Sequence, residues 1–285
     1  MYKVSKHMIN VGQYNELRVI KEVPFGLYLD GDEWGEILIP KRYVPQETII
    51  GDLLNVFIYF DSEDKIIATT QRPRATIGTC AFLKVIDVNP VGAFLDWGLD
   101  KDLLVPKPEQ KRAMEKDKSY IVYVKQDNRG RIIASSKLDY CLDKLPHHFK
   151  PGEEVSLLIA ESTPLGQKVI INHGHWGLVH SGDIFQALSY GKRIPGYIKT
   201  IRDDGKIDVV LRKMGQDSIR ELAKRILIAL HNAEGFLPLH DKSPTEDIQH
   251  AFSESKKSFK SAIGHLYKQG DIQIETNGIR LLSKD

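Results

Sequence analysis

Apolar and polar residues alternate along roughly the first 214 residues in a way that predicts three copies of one β-rich pattern. Each copy has a strand, a glycine-centred turn, a second strand, an apolar run and a closing hairpin with an acidic turn. The predicted segments are 23–29, 37–40, 56–59 and 66–70, then 89–95, 103–106, 121–124 and 132–136, then 163–169, 177–180, 196–199 and 207–211. Their content of Val, Ile, Phe and Tyr favours strands over helices.

The predicted turns centre on Gly26, Gly92 and Gly166, which are 66 and 74 positions apart. That spacing fits a five-stranded barrel and exceeds the repeat length of most solenoids, roughly 20 to 50 residues. We therefore expect a multidomain, mainly β protein with three tandem OB-fold barrels. Their expected bounds are 1–73, 74–139 and 140–215.

Helical periodicity begins at about residue 216, and we expect an α+β winged-helix domain over residues 216–285. A second helix is predicted to begin at Ser243, with Pro244 in the first helical position and Glu246 completing a capping box. The apolar stripe of the first helix consists of Ile219, Leu222, Ala223, Ile226 and Leu230.

A third helix and a hairpin complete this domain. Gly270 is expected to end the helix, and Asn277-Gly278 predicts a two-residue hairpin turn with positive φ at both residues. The predicted buried face of the third helix consists of Phe259, Ala262, Ile263, Leu266 and Tyr267. Three helices followed by a hairpin are the winged-helix order.

Composition narrows the class of protein. The 285 residues carry 40 Lys and Arg against 38 Asp and Glu, and 41% are hydrophobic, which excludes a polybasic tail and long disorder. Cys80 and Cys141 form no C-x-x-C motif, so we expect neither a disulfide framework nor a thiolate zinc site. No segment has the apolar length of a membrane span or a signal peptide, and we expect a cytoplasmic protein.

Charge is spread unevenly, because the four expected domains have formal net charges of −3, +3, +2 and 0 in chain order. A nucleic-acid-binding protein would concentrate its positive field on the second and third barrels, with moderate, salt-sensitive affinity. The alternative is that most of these basic residues only keep the surface soluble. The basic candidates for RNA contact are Lys101, Lys125, Arg129, Arg131, Lys168, Lys199 and Arg202.

Aromatic residues recur near the predicted glycine turns. Phe25 and Tyr28 flank Gly26, while Phe94 lies two residues after Gly92 and is followed by Trp97. On an exposed sheet face such side chains stack on unpaired bases, which suits single-stranded RNA. The alternative is that they pack inside the barrels or against the turns.

Two segments, 88–95 and 177–184, resemble the S1 domain, the OB-fold RNA-binding repeat of ribosomal protein S1. The resemblance implies an RNA-facing sheet with an aromatic residue before the glycine, another two residues after it, and a histidine on the next strand. Phe25, Tyr28, Phe94 and His180 match these positions. The sequence departs from the S1 pattern at Pro40, Val91, Pro106, Leu165 and Lys168.

The order of three S1-like barrels and a winged helix, together with the segment 94–106, resembles the conserved virulence factor B family of bacterial regulators. The resemblance spans essentially the whole chain. It implies RNA binding, an influence on virulence-gene expression in some members, and no established catalytic centre.

Enzyme chemistry has little support in the sequence. A nuclease needs clustered carboxylates to hold metal ions, whereas the neighbouring pairs Asp100 and Asp102, and Asp203 and Asp204, are typical of turns. His173 and His175 could begin a metal site but lack a third identifiable ligand. We expect no catalytic residue, no metal and no cofactor.

The winged helix offers a second class of function. Lys256, Lys257 and Lys260 could contact nucleic acid, although the domain has no net charge, or they could lie beside a docked protein or serve solubility alone. The sequence therefore predicts a non-enzymatic, cytoplasmic regulator that binds single-stranded RNA through several barrels, with the winged helix assisting. The alternative is a protein-docking or DNA-binding adaptor that acts through the winged helix.

Overall fold

The computed structural model describes residues 9–184, 186–212 and 216–282. The chain divides into two compact units, Met1–Lys144 and Leu145–Asp285. The first unit contains two β-barrels, and the second contains a third barrel and the helical region. Within the described ranges, no helix combines the length and the apolar character that a membrane crossing requires.

The first barrel is closed, with its strands in the order β1-β2-β3-β5-β4. Neighbouring strands are antiparallel except β3 and β5, which are parallel. The strands are β1 (Tyr14–Val23), β2 (Gly26–Asp30), β3 (Glu36–Pro40), β4 (Leu53–Phe60) and β5 (Ile66–Thr69).

The second and third barrels repeat this order. In the second, β8 and β10 lie side by side but no hydrogen-bonded ladder joins them, whereas the third barrel is closed. The strands are β6 (Cys80–Val88), β7 (Gly92–Asp96), β8 (Leu103–Pro106), β9 (Ser119–Gln126), β10 (Ile132–Ser135), β11 (Glu154–Thr163), β12 (Gly166–Ile171), β13 (His175–His180), β14 (Arg193–Ile201) and β15 (Ile207–Val210). The prediction of three five-stranded barrels is confirmed.

The three repeat glycines have a different role from the one predicted. Gly26, Gly92 and Gly166 are not turn centres; each is the first residue of the second strand of its barrel. A Cβ atom there would lie 2.2, 2.3 and 2.1 Å, respectively, from a backbone carbonyl oxygen of the third strand. Only glycine permits so close an approach of the two strands.

The helical region has the expected winged-helix order with one additional short strand. Its three-stranded sheet has the order β16-β18-β17, and its core includes Ile226, Phe252, Phe259 and Leu266. The elements are α1 (Gln216–Asn232), β16 (Phe236–Leu237), α2 (Thr245–Phe252), α3 (Lys256–Lys268), β17 (Ile272–Ile274) and β18 (Ile279–Leu281).

Two local predictions about the helices were wrong. The Ser243 hydroxyl accepts a hydrogen bond from the His240 amide at 2.9 Å rather than from α2, and Pro244 lies just before the helix. Tyr267, expected on the buried face of α3, is 58% exposed. Gly270, with φ of +72°, follows the end of α3 as predicted.

The predicted hairpin turn was also wrong. The Glu275 amide donates to the Gly278 carbonyl at 2.8 Å, so Thr276 and Asn277 are the two loop residues. Neither Asn277 nor Gly278 has a positive φ. Glycine is required at 278 because a Cβ atom would lie 2.2 Å from the Leu237 carbonyl oxygen.

The close strand contact at Gly92 predicts a loss of stability in Gly92→Ala. The new methyl group would overlap the Val105 carbonyl oxygen and force β7 and β8 apart, which we expect to cost about 1–3 kcal/mol. Urea unfolding followed by circular dichroism measures the change. In Gly264→Ala the methyl group meets no atom within 4 Å, and this variant of α3 should be unchanged or slightly more stable.

Candidate nucleic-acid interface

Each barrel presents the same small surface where its second strand pairs with its third, here called the strand-pair face. The residue before the repeat glycine is well exposed in all three: Phe25 is 57%, Val91 is 59% and Leu165 is 66% exposed. The residue two positions after the glycine is half-buried and lies directly opposite a half-buried leucine. These cross-strand pairs are Tyr28 with Leu38, Phe94 with Leu104, and Lys168 with Leu178.

On the first barrel, the strand-pair face combines two aromatic rings with a cation. The rings of Phe25 and Tyr28 meet edge to face with centroids 6.4 Å apart. Lys21 Nζ lies 5.3 Å from the centroid of the Tyr28 ring. The exposed Phe25 ring and the half-buried Tyr28 ring provide a stacking surface for a base, while Lys21 also lies 3.5 Å from the Glu36 carboxylate.

On the second barrel, the two candidate aromatic residues separate. Phe94 is half-buried on the strand-pair face, whereas Trp97 is only 3% exposed. The Trp97 ring packs edge-on against Phe57 of the first barrel, and its Nε1 donates to the Lys101 carbonyl oxygen at 2.6 Å. Trp97 therefore has the packing role that was the alternative, and it cannot stack on a base.

The loop after β7 joins the second barrel to the first. The Asp100 carboxylate pairs with Arg42 and accepts a hydrogen bond from the Tyr43 hydroxyl at 2.6 Å. Lys101 Nζ donates to the Asp61 carbonyl oxygen at 2.5 Å and lies 3.2 Å from the Asp64 carboxylate. Lys101 therefore fixes the two barrels together rather than offering an open cation to RNA.

A lysine on the fourth strand forms the same ion pair in the second and third barrels. Lys125 Nζ lies 2.9 Å from the Glu109 carboxylate, and Lys199 Nζ lies 2.6 Å from the Asp183 carboxylate. Burial alone would raise the pKa of Glu109, but hydrogen bonds from Lys125 and Ser135 outweigh it and hold that pKa below its usual value. Each of these two lysines is therefore already paired with a carboxylate of the protein.

The third barrel replaces the aromatic pair with charged groups. Arg202 binds Asp208 through two nitrogens, at 2.6 and 2.8 Å, and His180 Nε2 lies 3.0 Å from the same carboxylate. The hydrogen bond from Arg202 holds the pKa of Asp208 below its ordinary value. Lys168 Nζ lies 3.7 Å from the centroid of the Trp176 ring. The third barrel therefore combines internally paired charged groups with the exposed Leu165 and the half-buried Trp176.

The remaining basic candidates are spread over different surfaces. Arg129 is exposed, and Arg131 forms an ion pair with Asp127 at 2.7 Å. On α3, Lys256 Nζ donates to the Lys242 carbonyl oxygen at 3.2 Å. Lys260 lies 3.7 Å from Asp241, and Lys257 lines a cleft of about 340 Å³ beside Lys199 of the third barrel.

The histidine segment does not form a metal site with its neighbours. The His173 ring lies 3.4 Å from a guanidinium nitrogen of Arg193, and the His175 ring packs edge-on against Phe149. Over the described parts of the chain, no group of three or more His, Cys, Asp or Glu residues is placed to hold a metal ion.

Several contacting residues have no signal in the single sequence. Leu38, Leu104 and Leu178 read as ordinary strand residues, and Trp176 was not a candidate. Aligning the fourth strands and the segments after the third strands would have paired Lys125 with Glu109 and Lys199 with Asp183.

Family models match most of the fold. The S1 domain model matches residues 11–71 and 77–137, and a CvfB-like winged helix domain model matches residues 224–281. S1 and winged-helix domains are binding domains rather than known enzymes.

Relatives cover nearly the whole chain. An uncharacterized protein, YitL, of Bacillus subtilis is 29% identical over 93% of this chain and 91% of its own length. Conserved virulence factor B of Staphylococcus haemolyticus is 28% identical over 96% and 95% of the two chains, and that of Staphylococcus aureus USA300 is 27% identical over 84% and 82%. A crystal structure of a multidomain protein with nucleic acid binding domains from Streptococcus pneumoniae has 22% identity and a TM-score of 0.43, covering 95% and 98% of the two chains. The family models and the named relatives indicate a nucleic-acid-binding regulatory protein.

Asp208 gives a pH-dependent prediction. The pKa of Asp208 is lower in the folded protein than in the unfolded chain. The ionised carboxylate therefore contributes its full share of folding stability above the ordinary carboxyl pKa of about 4. That contribution is lost as the pH falls through the pKa of Asp208 in the folded protein. Asp208→Asn should lower stability at about pH 7 by about 1–3 kcal/mol, because Arg202 and His180 lose their partner. Urea unfolding should show the difference from wild type narrowing towards about pH 3.

Asp204→Asn is the matched control, since it removes the same charge from the neighbouring turn. Among the residues that the structure describes, Asp204 forms an ion pair only with the exposed Lys206, and loss of its charge should leave the urea midpoint nearly unchanged. An Asp208→Asn variant as stable as wild type at about pH 7 would contradict the structural role of this network.

Proposed function

We propose, on the premise that this chain belongs to the conserved virulence factor B family by its S1 domains and its CvfB-like winged helix, that it binds single-stranded RNA through several barrels at once. The proposal depends above all on one observation. On all three strand-pair faces, a well-exposed apolar residue stands directly before the repeat glycine and a half-buried residue stands two positions after it. The first two faces carry the candidate aromatic rings and the third carries Trp176 beside Lys168, and aromatic rings stack on bases of any sequence.

Stacking carries more of the proposed affinity than charge does. Of the basic candidates on the barrels, Lys101, Lys125, Arg131, Lys199 and Arg202 already contact carboxylates. A phosphate must therefore compete with a protein partner for these cations, so the salt dependence should be modest. Weak sites on linked barrels gain affinity because each bound segment raises the local concentration of the next.

The biological role we propose is regulation of bacterial gene expression, including virulence genes, by an RNA-binding protein without catalytic activity. Curated relatives carry the name conserved virulence factor B, which supports this role. Cys80 and Cys141 are free thiols, which is consistent with our proposal that the protein acts in the cytoplasm.

The winged helix has an assisting role in this proposal. Lys257 lines the cleft between α3 and the third barrel, beside Lys199. A strand that crosses the third barrel would pass close to α3 there. The neighbouring Lys256 and Lys260 already contact Lys242 and Asp241, so the contribution of α3 should be small.

The aromatic faces give the main test. Phe25→Ala, Tyr28→Ala and Phe94→Ala combined should weaken binding of a labelled single-stranded RNA by at least about tenfold, since stacking is worth roughly 1–3 kcal/mol per base. Fluorescence anisotropy with the full chain at two salt concentrations measures the loss. Duplex DNA should bind more weakly than RNA to the wild-type protein.

The control variant removes exposed apolar side chains of the first barrel outside the strand-pair face. Ile49, Ile50 and Leu53 are 67%, 59% and 52% exposed, and their combined change to Ala should leave RNA affinity unchanged. Equal binding by wild type and the aromatic variant, with both folded by circular dichroism, would refute stacking as the source of affinity.

Truncation before residue 216 tests how much the winged helix contributes to RNA affinity. The third barrel and the helical region have separate apolar cores, so the shortened chain should stay folded. We expect a smaller loss of RNA affinity than the aromatic variant shows, because the removed domain has no net charge. A larger loss on truncation would assign the main site to the winged helix.

A further inference from the structure

A cavity of about 470 Å³ lies at the seam of the first two barrels, within the first unit. Its volume is in the range of small-molecule sites, roughly 300–1,000 Å³. Phe60 of the first barrel and Phe94 of the second both line it. The Phe60 ring is braced by an edge contact with Trp34, with centroids 6.1 Å apart. The cavity therefore offers aromatic surface from both barrels.

The charged groups that line the cavity are nearly all engaged. Asp100 is bound by Arg42 and Tyr43, and Lys101 is held by the Asp61 carbonyl oxygen and Asp64. Arg131, the other cation lining the cavity, pairs with Asp127.

Asp102 is the exception. Its carboxylate is half-buried, and across the described residues it has no hydrogen bond and no ion pair. Burial, followed by the nearby Asp96 and Asp87, raises its pKa. A partly desolvated carboxylate without a donor is costly, and a ligand that supplied donors would relieve that cost.

We propose that this cavity binds one guanine base of a single-stranded RNA, with Asp102 accepting hydrogen bonds from the base and the aromatic rings contacting its faces. The inference deepens the proposed RNA-binding function and rests on it. Phe94 belongs to both surfaces, so a strand lying on the strand-pair face of the second barrel reaches the mouth of the cavity.

The preference for guanine follows from the chemistry of a lone carboxylate, which only accepts hydrogen bonds. Guanine presents two neighbouring donors, N1–H and the N2 amino group, which match the two carboxylate oxygens. Uracil offers one donor at N3, while adenine and cytosine each offer one amino group beside an acceptor nitrogen that the carboxylate repels. Asp102 therefore discriminates among the bases, whereas stacking alone does not.

The site is built in advance of binding, because the seam is fixed by contacts from both barrels. Asp100 and Lys101 directly precede Asp102 in the loop and are tied to Arg42, Tyr43 and Asp61 of the first barrel. A ligand therefore spends little binding energy on ordering the cavity.

The test compares three labelled RNA strands on the full chain by anisotropy. One is a uridine run, one carries a single central guanosine, and one carries inosine, which lacks the N2 amino group, in its place. We expect the guanosine strand to bind about tenfold more tightly than the uridine run, the typical value of a good bidentate contact, with inosine between them. Free guanosine monophosphate should compete only weakly, because it lacks the contacts to the strand-pair faces.

Asp102→Asn should abolish the guanosine preference, so that the guanosine strand binds the variant no more tightly than the uridine run does. Asp87→Asn, which removes a nearby exposed charge that does not line the cavity, should retain the preference. Equal binding of the three strands by wild type would overturn the guanine site and leave RNA binding in place. Binding of none of them would overturn both proposals, and strong competition by free guanosine monophosphate would overturn RNA as the source of the guanine.

Discussion

The contact between the second and third strands of each barrel is the constraint on which the interface depends. At Gly26, Gly92 and Gly166 the two backbones approach so closely that no side chain fits between them. This fixes the register, and because strand residues alternate between faces, the residue two positions later must stand on the outer surface. The strand-pair faces are thus a consequence of backbone packing, whether the half-buried residue two positions after the glycine is Tyr28, Phe94 or Lys168.

Much of the architecture could be predicted from the sequence, because a repeat and a change of periodicity are global signals. Three barrels and a winged helix follow from where glycines and apolar residues recur. Local predictions that depended on a single residue type were less successful. Ser243 and Asn277-Gly278 fit well-known patterns, yet a local hydrogen bond from the His240 amide engages the Ser243 hydroxyl, and the close approach of Gly278 to the Leu237 carbonyl oxygen constrains the hairpin.

The candidate site was harder to predict, since a single sequence gives residue types but not their partners. Trp97 and Phe94 look alike in the sequence, but one is buried against the neighbouring barrel and the other is half-exposed. Lys125 and Lys199 look like open cations until their carboxylate partners are placed beside them. Asp102 has no recognisable motif, and only the cavity distinguishes it from other acidic loop residues.

If the protein binds RNA as proposed, the matched ion pairs of the second and third barrels would also affect how quickly the RNA dissociates. When Lys125 or Lys199 releases a phosphate, the adjacent Glu109 or Asp183 is already within reach to take its place. Release then leaves no bare cation, so the barrier to dissociation of each segment is lowered. A protein built this way would exchange RNA strands quickly at each barrel and would retain a long RNA only while several barrels are engaged. Residence time would then increase steeply with the length of unpaired RNA, and short transcripts would escape.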